Sequence, residues 1–206
     1  MPKRDNAYME IQREAIARAT LAVLIRKGVR ETTLRNICSE AGISIGTLYI
    51  HFKTKEEAVV AACQLDSSEV DTEPLPPTWT EYLQEFSFGD LREVGSRSSK
   101  RMRLSLQFVA ELSQMQQNPK GLSDIYDSVW RRYSAALQGL KQRREITLPL
   151  GLDHTVEAHL QLLLGSRYRL VSHRELQAES VRAALEAALA VTAGRVAPSA
   201  KDPDAS

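Results

Sequence analysis

Between Thr32 and Glu57 the chain reads TTLRNICSEAGISIGTLYIHFKTKEE, and no other stretch leaves so few ways to fold. Leu34, Ile37, Cys38 and Ala41 recur at the period of a helix with one apolar face, while Arg35, Asn36, Ser39 and Glu40 fall on the other. Thr32 or Thr33 supplies the side-chain oxygen that caps its first turn. Gly42 ends it, because the left-handed backbone of a helix C-terminus costs glycine least. Ser44 caps a second helix over roughly 44–51, and Ile43 packs on Leu48 to fix the direction in which that helix leaves the turn. Thr54 and Glu57 have the T-x-x-E spacing of a capping box and open a third helix. Helix, glycine turn and short helix make a helix-turn-helix.

The spacing turns Leu48 and Phe52 inward and predicts Ile45, Gly46, Thr47, Tyr49 and His51 on a small, mostly uncharged outer face. Such a face suits a major groove, where small residues let the backbone approach base edges and apolar atoms meet thymine methyls. Lys55 falls at the positive end of the third helix, where dipole and ammonium both favour a phosphate.

Residues 13–65 resemble the DNA-binding domain of the TetR family of bacterial transcriptional regulators. The resemblance is carried by T-T-L-R-N-I, then A-G-I-S-I-G-T-L-Y-I-H-F, then K-T-K-E-E. It implies an all-α homodimer whose amino-terminal domains bind a palindromic DNA operator and whose carboxy-terminal domains bind a small-molecule effector that alters DNA affinity. A repressor released by its effector is the implied function, and no enzyme activity or cofactor is implied. Thr33, Ser44, Ile45, Gly46, Thr47, Tyr49, His51 and Lys55 are the positions expected at DNA. Thr33, Tyr49, His51 and Lys55 would hold phosphates, and Ile45, Gly46 and Thr47 would approach bases. Two positions depart from the common family pattern. Ile45 stands where a basic or polar residue is frequent, and Ile50 where an aromatic or polar one is frequent, so no operator sequence carries over from a relative.

Net charge over 206 residues is only +1, too small for bulk attraction to nucleic acid. Its distribution is more telling: residues 1–65 hold 10 Lys/Arg against 7 Asp/Glu, and residues 66–206 hold 17 against 19. The positive excess therefore lies with the helix-turn-helix, and phosphate contacts need only a few placed donors. Cys38 and Cys63 lie on apolar helical faces and read as small buried hydrophobes in a reducing cytoplasm, with a redox-sensing pair as the alternative. No 18-residue apolar run occurs, and MPKRDNAYMEIQREA has no apolar signal core, so a cytoplasmic chain without membrane contact is expected.

Before the motif, residues 1–7 read as a basic arm, followed by a helix with Ile16, Ala19, Thr20, Val23 and Leu24 on one stripe and Gly28 past its end. After it, DSSEVDTEPLPPT over 66–78 reads as a linker loop. The expected division is a DNA-binding domain over 1–65, the linker, a ligand-binding and dimerisation domain over 79–196, and a disordered tail over 197–206. Helices are expected at about 79–95, 99–117, 121–144, 154–172 and 176–195. The last two are apolar on more than one side, which leaves a patch for a second copy of the chain.

Gln107, Glu111, Trp130, Tyr133 and His159 are the ligand-binding candidates. Trp130 and Tyr133 combine flat apolar area with a polar tip, and the other three are polar residues on otherwise apolar helices. His154 and His159 fall on different sides of a helix, so no metal site is expected. The sequence has no G-x-S-x-G, P-loop or dinucleotide fingerprint, which argues against a DNA-processing enzyme. A DNA-bound protein-interaction module without a small-molecule effector is the alternative reading.

Overall fold

A computed structural model describes residues 6–86, 97–112, 119, 121–173 and 175–195, and among these all regular structure is helical. The order is α1 (Asn6–Lys27), α2 (Leu34–Ala41), α3 (Ile45–His51), α4 (Lys55–Asp71), α5 (Trp79–Phe86), α6 (Arg97–Leu112), α7 (Leu122–Gln142), α8 (Leu152–Ser172) and α9 (Ala178–Ala193). No helix among the described residues is long and apolar enough to cross a membrane. Residues 1–5 of the expected basic arm and the expected tail over 197–206 lie outside the described residues.

Two compact units result. The first is Met1–Glu73 with Val94–Val129, and the second is Pro74–Glu93 with Trp130–Ser206. This division differs from the sequence expectation in two ways. First, α4 runs to Asp71, through half of the expected 66–78 linker, because the acidic and polar stretch before Pro74 is still helix-compatible. Second, α6 and the start of α7 pack with the helix-turn-helix: Phe108 and Leu122 are buried in one cluster with Leu24, Val29, Val59, Val60 and Ala62. Periodicity marks which side of a helix is apolar but not which partner it meets.

In the first unit a second cluster joins Ile16 of α1, Ile37 and Cys38 of α2, Leu48 and Phe52 around α3, and Ala58 of α4. Polar contacts pin α6 and α7 to this body. The backbone N–H of Val29 donates to Gln107 Oε1 at 3.0 Å, and Gln64 Nε2 donates to the Gly121 carbonyl at 2.9 Å.

In the second unit Val156 and Leu163 of α8 and Leu185, Leu189 and Ala193 of α9 are buried, and the two helices pack on each other. The loop between α7 and α8 closes on the end of α9: Thr147 and Leu148 both donate their backbone N–H to the Ala193 carbonyl, at 3.2 and 3.0 Å. Gly194 makes this approach possible. Its φ is +68°, and a Cβ there would lie 2.2 Å from Thr147 Oγ1 and 2.5 Å from Pro149 Cδ. Gly194→Ala is therefore expected to lower unfolding stability by more than about 1 kcal/mol, measured by urea denaturation; unchanged stability would mean that the loop does not close on α9 in this way.

Candidate nucleic-acid interface

Local rules build the helix-turn-helix as the sequence predicts. Thr33 is the N-cap of α2 and its Oγ1 accepts from the Asn36 backbone N–H at 3.2 Å. Thr32, the other cap candidate, is buried instead and donates its hydroxyl to the Gly28 carbonyl at 2.6 Å. Gly42 takes the left-handed conformation, with φ 64° and ψ 33°, and ends α2. Ser44 caps α3, its Oγ accepting from the Thr47 N–H at 3.1 Å and lying 2.9 Å from Thr47 Oγ1. At α4, Glu57 donates its N–H to Thr54 Oγ1 at 3.2 Å, while its carboxylate accepts the N–H of Lys53 at 2.7 Å. Lys55 is the first residue of α4 and is half-buried.

Leu48 and Phe52 are fully buried, which fixes the rotation of α3. The face left outside carries Ile45, Gly46, Tyr49 and Ile50, all exposed, with Thr47 half-buried at its flank. His51 is a correction. It was expected on the outer face, but one turn of helix places it beside Leu48 and the side chain is buried.

Arg13 was missed by the sequence reading. Its guanidinium lies 4.1 Å from the centre of the Phe52 ring and donates through Nη1 to the His51 carbonyl. A cation thus closes the C-terminal end of α3, where helix carbonyls are unpaired and the dipole is negative. Nothing in an amphipathic pattern distinguishes Arg13 from any other charged residue of α1; only its distance to Phe52 does. A second link, Arg26 to Glu40 at 2.6 Å, ties α1 to α2 on the exposed side.

The ligand-binding candidates fall in different units. Gln107 and Glu111 belong to α6 in the first unit, and Gln107 already serves the Val29 backbone. Trp130, Tyr133 and His159 belong to the second unit. Tyr133 is buried against an aromatic cluster, with its ring centre 4.2 Å from Phe86 and 6.4 Å from Tyr82. Trp130 stays partly exposed. Arg132 is buried and bonded through Nε and Nη2 to Glu85 Oε1, at 2.8 and 2.6 Å.

His159 is a second correction. The structure buries it completely, with both ring nitrogens engaged, so its ring has no edge to offer a ligand. Nε2 lies 3.2 Å from the Leu189 carbonyl and 2.9 Å from Thr192 Oγ1, and Nδ1 lies 2.7 Å from the Tyr82 hydroxyl. A carbonyl only accepts, so Nε2 carries the proton and Nδ1 accepts from Tyr82. Desolvation pushes the His159 pKa down to about 4 despite its backbone hydrogen bond, and burial raises that of Tyr82. Burial also raises both cysteine thiols, Cys63 to about 12 with the help of Asp66.

The family model described as bacterial regulatory proteins, tetR family, matches residues 16–62. YerO of Bacillus subtilis, an uncharacterised helix-turn-helix transcriptional regulator, is 39% identical over 56 residues, which is 27% of this chain and 19% of that protein. The chain thus matches less than a fifth of that relative's length. The transcriptional regulator SrpR of Pseudomonas putida is 27% identical over 197 residues, covering 90% of this chain and 87% of that protein. Among solved structures, the multidrug binding protein EbrR complexed with ethidium superposes with a TM-score of 0.59 at 18% identity, covering 86% of this chain and 98% of that one.

Two measurements check this geometry. Arg13→Ala is expected to cost about 1–2 kcal/mol of stability in urea denaturation, with Arg13→Lys recovering only part; equal stability of all three proteins would remove Arg13 from the account. For His159 the folded pKa lies below the ordinary 6.5, so the unfolded chain takes up the proton first. Its contribution, on the order of 3 kcal/mol, is present above pH 6.5 and is lost as pH falls towards 4. Thermal melts should show that loss in the native protein and a much shallower one in His159→Gln; parallel pH profiles would contradict the buried neutral imidazole.

Proposed function

We propose that this chain is a member of the TetR family of bacterial regulatory proteins and a ligand-responsive transcriptional regulator, a repressor that binds a palindromic operator as a homodimer. The observation that carries this reading is the α3 surface. A capped short helix is fixed by two buried side chains and a cation at its far end, and it exposes two isoleucines and a tyrosine to solvent. Exposed apolar groups held this rigidly have a cost in water and a use against base edges in a major groove. Thr33, Tyr49 and Lys55 hold phosphates around them, with Lys55 placed by the start of α4.

Dimerisation follows from the second unit. On α8, Leu164, Gly165 and Tyr168 are exposed, and on α9 so are Ala184, Ala187 and Val191. Each set keeps a helical spacing, and each lies opposite the buried stripe of its own helix. A second copy of the same two helices covers both, making a four-helix interface with two-fold symmetry. Two-fold symmetry in turn sets two α3 helices on the two halves of a palindrome.

An effector binds in the second unit beside Trp130, which is partly exposed, and Tyr133. The structure of EbrR complexed with ethidium supports the reading that a protein of this fold takes a small-molecule effector. Helix α7 belongs to both units, and its first turn meets α4 where Gln64 Nε2 donates to Asp124 Oδ2 at 3.1 Å. An effector that favours one position of α7 shifts α4, and with it the spacing of the α3 pair, by its differential affinity for the two states.

Mobility shift of the purified protein on its own upstream intergenic DNA, with a scrambled duplex as competitor, tests the regulator reading. A shift that resists the competitor is expected, and shifts that the scrambled duplex removes equally would count against it. Val191→Glu with Tyr168→Glu is expected to yield a folded monomer in sedimentation with operator affinity reduced at least ten-fold; a dimer that survives both changes would place the interface elsewhere.

A further inference from the structure

We infer that α3 selects its operator by thymine methyl groups; this inference rests on the DNA-binding reading above and names the base chemistry that the reading leaves open. The seven residues of α3 are IGTLYIH. They include no Arg or Lys, whose paired donors read guanine, and no Asn or Gln, which read adenine. Leu48 and His51 are buried, so neither reaches outward. Thr47 has its hydroxyl beside Ser44 Oγ at 2.9 Å. Tyr49, 51% exposed, is taken up by a phosphate in the reading above, and what remains to face the bases is aliphatic: Ile45 is 46% exposed and Ile50 57%.

Gly46 shares the outermost line of the helix with Ile50, four residues on. A Cβ at Gly46 would meet nothing of the protein closer than Ser44 Oγ at 3.7 Å. The open space beyond that position is room for a base edge.

Of the groups that a base pair presents in the major groove, only the thymine C5 methyl gains by contact with an aliphatic side chain. Opposite Ile45 or Ile50, a G·C pair would lose water from its N7, O6 and N4 groups and receive no hydrogen bond in return. Discrimination thus works in both directions: the methyl is attracted, and the polar edges are penalised.

The test starts from sites selected by the full-length protein out of a random-sequence duplex library. Each thymine in a selected half-site is then replaced by deoxyuracil, which removes the methyl and leaves every hydrogen-bonding group. Loss of a methyl contact is expected to weaken binding about four-fold per half-site, and more than ten-fold when both half-sites are changed. In Ile45→Ala and Ile50→Ala, both at exposed positions, the penalty should shrink at the base that each side chain touches, by the logic of a double-mutant cycle. A selected site that binds equally well with deoxyuracil at every position would overturn the methyl inference and leave the DNA-binding reading intact. Failure to select any sequence would overturn both.

Discussion

Burial of Leu48 and Phe52 against α1, α2 and α4 is the constraint on which the rest of the first unit depends. With these two side chains inside, α3 cannot rotate, and the residues between them are forced outward in a set order. A seven-residue helix has little stability of its own. It is kept by Ser44 at one end, Arg13 at the other and the cluster of Ile16, Ile37, Cys38 and Ala58 beneath. Under the proposed function this rigidity has a use, because a helix that is to read bases must already hold its side chains in place when it meets them.

The second unit shows a different use of polar groups. His159 sits in a fully buried bond network joining α5, α8 and α9 through Tyr82, Leu189 and Thr192. Each ring nitrogen has its partner, so the cost of burying the imidazole is offset and the three helices are held in one register. Arg132 and Glu85 do the same between α7 and α5. The aromatic cluster around Tyr133 is therefore framed by directional bonds.

Much of the helix-turn-helix was legible in the sequence, since caps, glycine turn and staple are local devices with fixed offsets. Thr33, Gly42 and Ser44 occupy the roles that their residue types dictate. Among the described residues the helices beyond were legible in place, from α5 near 79 to α9 near 193. Less legible was anything decided by contact across the chain. His51 follows a polar spacing but is turned inward, and Gln107 spends its side chain on the Val29 backbone. His159 looks like a lone polar residue on an apolar helix and proves to be a bonding hub. Arg13 is the same lesson in reverse: a charge on a bracing helix becomes significant only once Phe52 lies under it. In each case the partner is tens of residues away, and no periodicity encodes it.

The central claim is that the exposed side of α3, together with the start of α4, is where DNA binds. Backbone amide hydrogen exchange, followed with and without a selected duplex, reads this directly. The account predicts slowed exchange over residues 44–51 and in the first turn of α4, with the exposed faces of α8 and α9 unchanged on adding DNA. Slowing confined to α8 and α9, with α3 exchanging as in the free protein, would contradict it.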